Sequence, residues 1–305
     1  MATFRSDPVQ IRVPATCANL GPGFDTLGLA LDTYDILSGV ASQDEGVLVE
    51  VEGEGVTDVP RDASNLVVQS MALGFQAMDV RPEGLVLRCT NVIPHGRGMG
   101  SSAAAIIGGL ALARAMVVEG TELMPDEVLL QVALALESHP DNLAAALYGG
   151  FTNAWLEGDS AQCVRHEVHG SVIPITAVPA FKVPTLHARN ALASTVSRAD
   201  ASFNISRAAL LVHALTHDPS LLFIGTQDRL HQESRRSVYP DSMALMDALR
   251  AEGLPAVISG AGPTVLVFGA AGDSEMVRAA AGDQWQVSER TVARLGVHNS
   301  PVMTP

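Results

Sequence analysis

The chain has 305 residues, 47% of them hydrophobic and 17% charged, which suits one large or two ordinary globular domains and excludes a disordered chain. A formal net charge of −14 excludes a general nucleic-acid or anionic-membrane surface, so bound phosphate would have to be held by backbone dipoles, a metal ion and a few arginines. Cys17, Cys89 and Cys163 have no metal-ligand spacing, no signal-peptide core precedes residue 13 and no apolar run reaches membrane length, so a reduced, cytoplasmic protein is expected.

Residues 9–13 read as a short strand closed by Pro14. Residues 15–30 are dense in glycine, with Asn19 and Asp25 as polar side chains; they suit either a polar small molecule or ordinary turn chemistry. Residues 34–40 and 47–52 read as strands of an antiparallel sheet, and 65–77 as a helix capped by Ser64 or Asn65. A strand over 84–93 ends at Pro94, a helix runs over 103–118, and another over 125–136. Glu137-Ser-His-Pro-Asp-Asn142 is too polar for a helix interior and is expected as a loop before helix 143–147. Composition turns polar over 158–170, dividing the chain into domains 1–160 and 161–305. Beyond it come a strand at 172–178 and a helical or loop segment at 184–192. Helices follow at 205–216, at 221–230 and on to Arg236, and at 241–251. Strands 256–259 and 264–268, a helix at 274–281 and a last strand around 287–297 make half of a ferredoxin-like layer.

Between the strand at 84–93 and its helix stands Pro94-His-Gly-Arg-Gly-Met-Gly-Ser-Ser-Ala-Ala-Ala105. Glycines without Cβ let the backbone turn sharply and approach a ligand, and the open N–H groups of the helix start favour an anion. The segment reads as a phosphate cradle. It is not a Walker A loop, because serine follows Gly100 and the only lysine of the chain is Lys182. Gly98-x-Gly100-x-x-Ala103 has dinucleotide spacing, but a second helical run follows where that fold needs a strand. Glu137 with the Ser101 and Ser102 hydroxyls would suit Mg²⁺, which takes few protein oxygens alongside phosphates; a solvated loop is the plain alternative.

Three motifs in order resemble the GHMP kinases, small-molecule ATP-dependent kinases: residues 14–25, residues 94–104, and Ser259-Gly-Ala-Gly-Pro-Thr264. Met99 replaces the family's usual leucine, a near-isosteric change. Pro-Ala-Thr-x-Ala-Asn-Leu-Gly-Pro-Gly-Phe-Asp and His-Pro-Asp-Asn look specifically like the homoserine kinase branch. The resemblance implies an α+β, two-lobed fold: an N-terminal α/β domain carrying the glycine-rich loop and a C-terminal ferredoxin-like domain. It further implies ATP held by Pro94, His95, Gly96, Arg97, Gly98, Met99, Gly100, Ser101, Ser102, Ala103 and Ala104, with Mg²⁺ on Ser102 (or Ser101) and Glu137. The acceptor L-homoserine would lie against Asn19, Asp25, His139, Thr185, Arg189 and Arg235, with Arg236 as the alternative to Arg235. Asp25, Asp141 and Asn142 are the candidate catalytic groups. Phosphoryl transfer to a hydroxyl is the implied reaction, without nucleic-acid or membrane partners. A mevalonate-type or sugar kinase, or a nucleotide-binding regulator without turnover, are the alternatives; the sequence leaves a homodimer open.

Overall fold

The structure is a computed structural model that describes residues 3–301, apart from the side chains of Thr185 and Leu186. β1 (Val9–Ala18) runs past Pro14, because the proline sits where the register against β2 (Leu27–Ser42) breaks, and a strand tolerates a residue without an N–H at such an irregularity. β3 (Gly46–Gly53), α1 (Leu66–Ala77) and β4 (Gly84–Asn91) correct the expected antiparallel pairing of residues 34–40 with 47–52. β4 lies between β2 and β3 and pairs with β3 in parallel, since α1 carries the chain back across the sheet between the two strands. Asn65, not Ser64, caps α1, accepting the Val67 amide at 2.9 Å.

Four helices follow without a strand: α2 (Ser101–Met116), α3 (Gly120–Leu123), α4 (Asp126–Ala133) and α5 (Pro140–Tyr148). α2 lies tight against its neighbours: a Cβ on Gly108 would fall 2.6 Å from Leu37, and one on Gly109 the same distance from Ser70. α5 begins before the expected residue 143. Proline is favoured at the first helical position, where its missing N–H has no partner to lose, so Asp141 and Asn142 stand in a helical turn and not in a loop. β5 (Phe151–Glu157) pairs with the start of β2, and β6 (Ser160–His166) pairs with β5 inside the polar stretch.

The second layer holds β7 (Ile173–Pro179), α6 (Thr185–Asn190), α7 (Arg198–Thr216), α8 (Leu222–Gly225), α9 (Pro240–Ala251), β8 (Ala256–Ile258), β9 (Val265–Gly269), α10 (Asp273–Ala281) and β10 (Trp285–Glu289). Its strand order, β10-β7-β9-β8, all antiparallel, is that of a ferredoxin-like βαββαβ layer. β11 (His298–Asn299) returns to the first sheet beside β1. α7 starts well before residue 205, capped by Ser197. The helix expected over 221–230 is confined to α8 and a preceding turn. Beyond it the Asp228 carboxylate accepts the amides of Leu230, His231 and Gln232, an alternative to helical bonding. Along β9 the side chains alternate: Val265 and Val267 pack with α9 and α10, while Leu266 and Phe268 join the large core shared with the first sheet. Among the described residues no helix is long and apolar enough to cross a membrane.

Candidate active site

Gly96, Gly98 and Gly100 all have left-handed backbones, with φ of 66°, 75° and 71°. A Cβ on Gly98 would lie 2.5 Å from the Ser259 carbonyl oxygen and 2.8 Å from that of Gly262, so the loop is pressed onto the 259–264 turn. Backbone bonds stitch the three distant motifs together. The Thr16 amide donates to the Met99 carbonyl (3.0 Å), the Thr264 amide to Arg97 (3.2 Å) and the Gly260 amide to Ala18 (2.9 Å). Asn19 adds a side-chain staple, its Nδ2 donating to the Gly260 carbonyl at 2.8 Å and its Oδ1 accepting the Asp25 amide at 2.9 Å. No side chain among the described residues caps α2, so its first N–H groups and its dipole face the cavity between the motifs.

The first turn of α5 forms the opposite wall. Asn142 Oδ1 accepts the Thr16 hydroxyl at 2.7 Å, and the Asn142 amide donates to Asp141 at 2.8 Å. Burial pushes the Asp141 carboxyl up to about 6. Glu137 and His139 Nδ1 meet at 2.8 Å; the contact holds the Glu137 carboxyl below its usual range and raises His139. Asp25 accepts from Arg189 Nη2 at 3.0 Å and stands 3.9 Å from His139 Nε2. Glu137, Ser101 and Ser102 all line this cavity, and among the described residues no cluster of three or more His, Cys, Asp or Glu could hold a metal unaided. One ionised carboxylate and a hydroxyl fit Mg²⁺ that arrives with phosphate oxygens.

Arg235 closes the cavity from the second layer and is 1% exposed. Its Nε donates to the Ala188 carbonyl at 2.9 Å and its Nη1 to His231 Nδ1 at 3.0 Å, and among the described residues it has no carboxylate at ion-pair distance. Burial lowers its pKa. Arg236 is instead half-buried, bonded to Glu233 at 2.8 Å and Asp247 at 2.9 Å, and Arg235, not Arg236, lines the cavity. Arg189 lines the cavity too; the side chain of Thr185 lies outside the described residues. Arg97 turns away toward Glu54 at 3.5 Å, and Met99 and Ala103 sit in the core.

On the other side of Ser101 and Ser102 lies a second, largely apolar cavity of about 310 Å³, walled by Val51, Val59, Pro60 and Leu66, with Asn65 and His95 as polar rims. Lys182, distant in sequence, packs over Gly96 and bonds Asp58 at 2.7 Å. Thr16 stood inside a quoted motif without a role of its own and His231 lay outside every motif; only their neighbours in space mark what they do.

Residues 65–150 match the family described as GHMP kinases N terminal domain, and residues 211–286 the family described as GHMP kinases C terminal. The class is therefore that of the GHMP kinases. Within it, the chain is 46% identical over 299 residues to the homoserine kinase of Streptomyces avermitilis, covering 98% of both chains. It is 47% identical over 262 residues to that of Clavibacter michiganensis, covering 86% of this chain and 83% of the relative. The crystal structure of homoserine kinase from Cytophaga hutchinsonii superposes with a TM-score of 0.84 at 26% identity, covering 98% of this chain and 99% of that one. This chain belongs to the homoserine kinase family.

Proposed function

We propose that the chain transfers the γ-phosphoryl group of ATP to the side-chain hydroxyl of L-homoserine, giving O-phospho-L-homoserine for threonine synthesis, in the cytoplasm and on small molecules rather than on nucleic acid or at a membrane. The observation that carries the acceptor assignment is Arg235. A buried guanidinium with no carboxylate partner among the described residues is costly, and an amino-acid carboxylate entering the cavity would supply the missing charge through two parallel hydrogen bonds. The near-full-length relatives name the same substrate.

The apolar cavity takes the nucleoside, and the triphosphate passes over Ser101 and Ser102 along the glycine loop to the first turn of α5. Glu137 and Ser102 would hold Mg²⁺, which supplies charge neutralisation on the phosphoryl oxygens. Two helix starts, α2 and α5, aim their positive ends at the same region. That places the attraction for phosphate locally in a chain of net charge −14. Asp25, ion-paired to Arg189, faces the acceptor's ammonium, with His139 beside it. Asn142, held by Thr16, positions the reacting groups. Asp141 is a candidate proton acceptor, because burial makes it more basic than an ordinary aspartate.

An ADP-release assay with Mg·ATP against homoserine, threonine, serine, mevalonate and galactose tests the reading, and turnover of mevalonate or galactose without homoserine would overturn it. Arg235→Leu should raise KM for homoserine by about 30-fold or more, on the order of 2–4 kcal/mol of lost binding, with KM for ATP little changed. The variant should also lose most of the preference for homoserine over its amide, which lacks the carboxylate charge.

A further inference from the structure

His231 takes no part in the site as the sequence presents it, yet it is buried at 1% exposure between the Gly21 carbonyl and the Arg235 guanidinium. Its Nε2 stands 2.8 Å from the Gly21 carbonyl oxygen, which can only accept, so Nε2 carries the proton. Its Nδ1 stands 3.0 Å from Arg235 Nη1, which can only donate, so Nδ1 carries the lone pair. The two contacts together require the neutral imidazole in one tautomer. Burial disfavours the charged form in the same sense. The ring also stacks on Phe24, centroids 5.0 Å apart, and Phe24 lies between Gly21 and Asp25 on the loop that carries the acceptor's ammonium partner. Asp228 fixes the backbone of this turn by accepting the His231 amide at 3.1 Å, and Asn204 Nδ2 holds Asp228 at 2.8 Å.

We propose that His231 is a positioning residue that sets the guanidinium plane of Arg235 through its Nδ1 lone pair, so that the carboxylate end of the acceptor meets a fork already oriented to receive it. The inference rests on Arg235 as the carboxylate ligand. The guanidinium is held at Nε by Ala188 and at Nη1 by His231, with the Phe24 ring centroid 5.4 Å from Cζ and the Tyr239 side chain also beside it; losing the His231 acceptor frees the Nη1 edge and, with it, the plane of the fork. Orientation of a bidentate pair is what makes it strong.

The test compares two amides in the full chain. His231→Asn puts an acceptor oxygen near the place of Nδ1 and keeps the Arg235 contact; His231→Gln reaches toward Gly21 and leaves Arg235 without its acceptor. H231Q should raise KM for homoserine at least fivefold with KM for ATP unchanged and kcat reduced by less, while H231N stays within about twofold of the wild type. Adding H231Q to R235L should raise KM no further, because the histidine acts through the arginine. R235L raising KM while H231Q does not, or H231N and H231Q being equally impaired, overturns the positioning role and leaves the carboxylate assignment standing. R235L with a wild-type KM overturns the assignment and the positioning role with it.

Discussion

At the scale of single residues, the glycines that line the cavity divide into two kinds. Gly98 is demanded by the protein's own packing, since a Cβ there strikes the 259–262 backbone whether or not a ligand is bound. Gly260 is different: a Cβ there meets nothing closer than the Gly98 carbonyl at 3.9 Å, beside the cavity. Gly98→Val should therefore lower Tm as well as abolish ATP binding, whereas Gly260→Ala should weaken ATP binding in calorimetry at a stability cost of only about 1 kcal/mol for its left-handed backbone. Equal Tm losses in the two variants would contradict that division. Glu137→Gln removes the charge assigned to Mg²⁺ and also loosens His139. It should reduce kcat about 100-fold or more while ATP affinity falls far less, and excess Mg²⁺ should restore little of the rate.

At the scale of elements, the site is an agreement between loops more than a property of any one of them. Asn19 bonds both the Asp25 amide and the Gly260 carbonyl from a left-handed backbone (φ 67°) that asparagine tolerates better than most side chains. Asn19→Ala leaves both partners unpaired in a buried place and should cost about 2–4 kcal/mol by urea unfolding, with KM for ATP and for homoserine rising together. A rise in only one KM would mean that the two loops work independently. Local patterns served well where they decide structure: the helix at 65–77, the strand at 84–93 and the strand pair around 256–268 stand close to where periodicity puts them. They failed where a polar or proline-containing run has a local structural use, as with Pro140 opening α5 and Asp228 gathering the amides that end a helical run. β3 and β4 run in parallel because of the path of α1, which no property of either strand records.

At the scale of the whole molecule, buried acid groups set a pH dependence. Asp35 accepts the Val92 and Ile93 amides at 2.6 and 2.9 Å just ahead of the glycine loop, and burial pushes its carboxyl up to about 6. The folded state then holds this proton where the unfolded chain has lost it, so the group's contribution to stability falls as pH rises from about 4 to 6 and is constant above. Asp35→Asn keeps an acceptor for both amides without the buried charge. Its stability relative to wild type should improve by about 2 kcal/mol between pH 4 and pH 7.5 and be flat above that. A constant difference across the range would show that Asp35 ionises in the fold as it does in the open chain. The glycine loop at Gly96–Gly100 was legible in the sequence as a phosphate cradle because glycine turns and helix starts are local, whereas its grouping with Asn19 and Gly260 was legible only through the resemblance to the GHMP kinases. The partnerships of the acceptor side were not: that Arg235 is buried and Arg236 only half-buried, that Asn142 answers to Thr16, and that His231 stands between Arg235 and Gly21 depend on where β7–β10 set the second layer against the first. Burial and partnership of a charge are relations between segments far apart in the chain, so only the tertiary structure decides them.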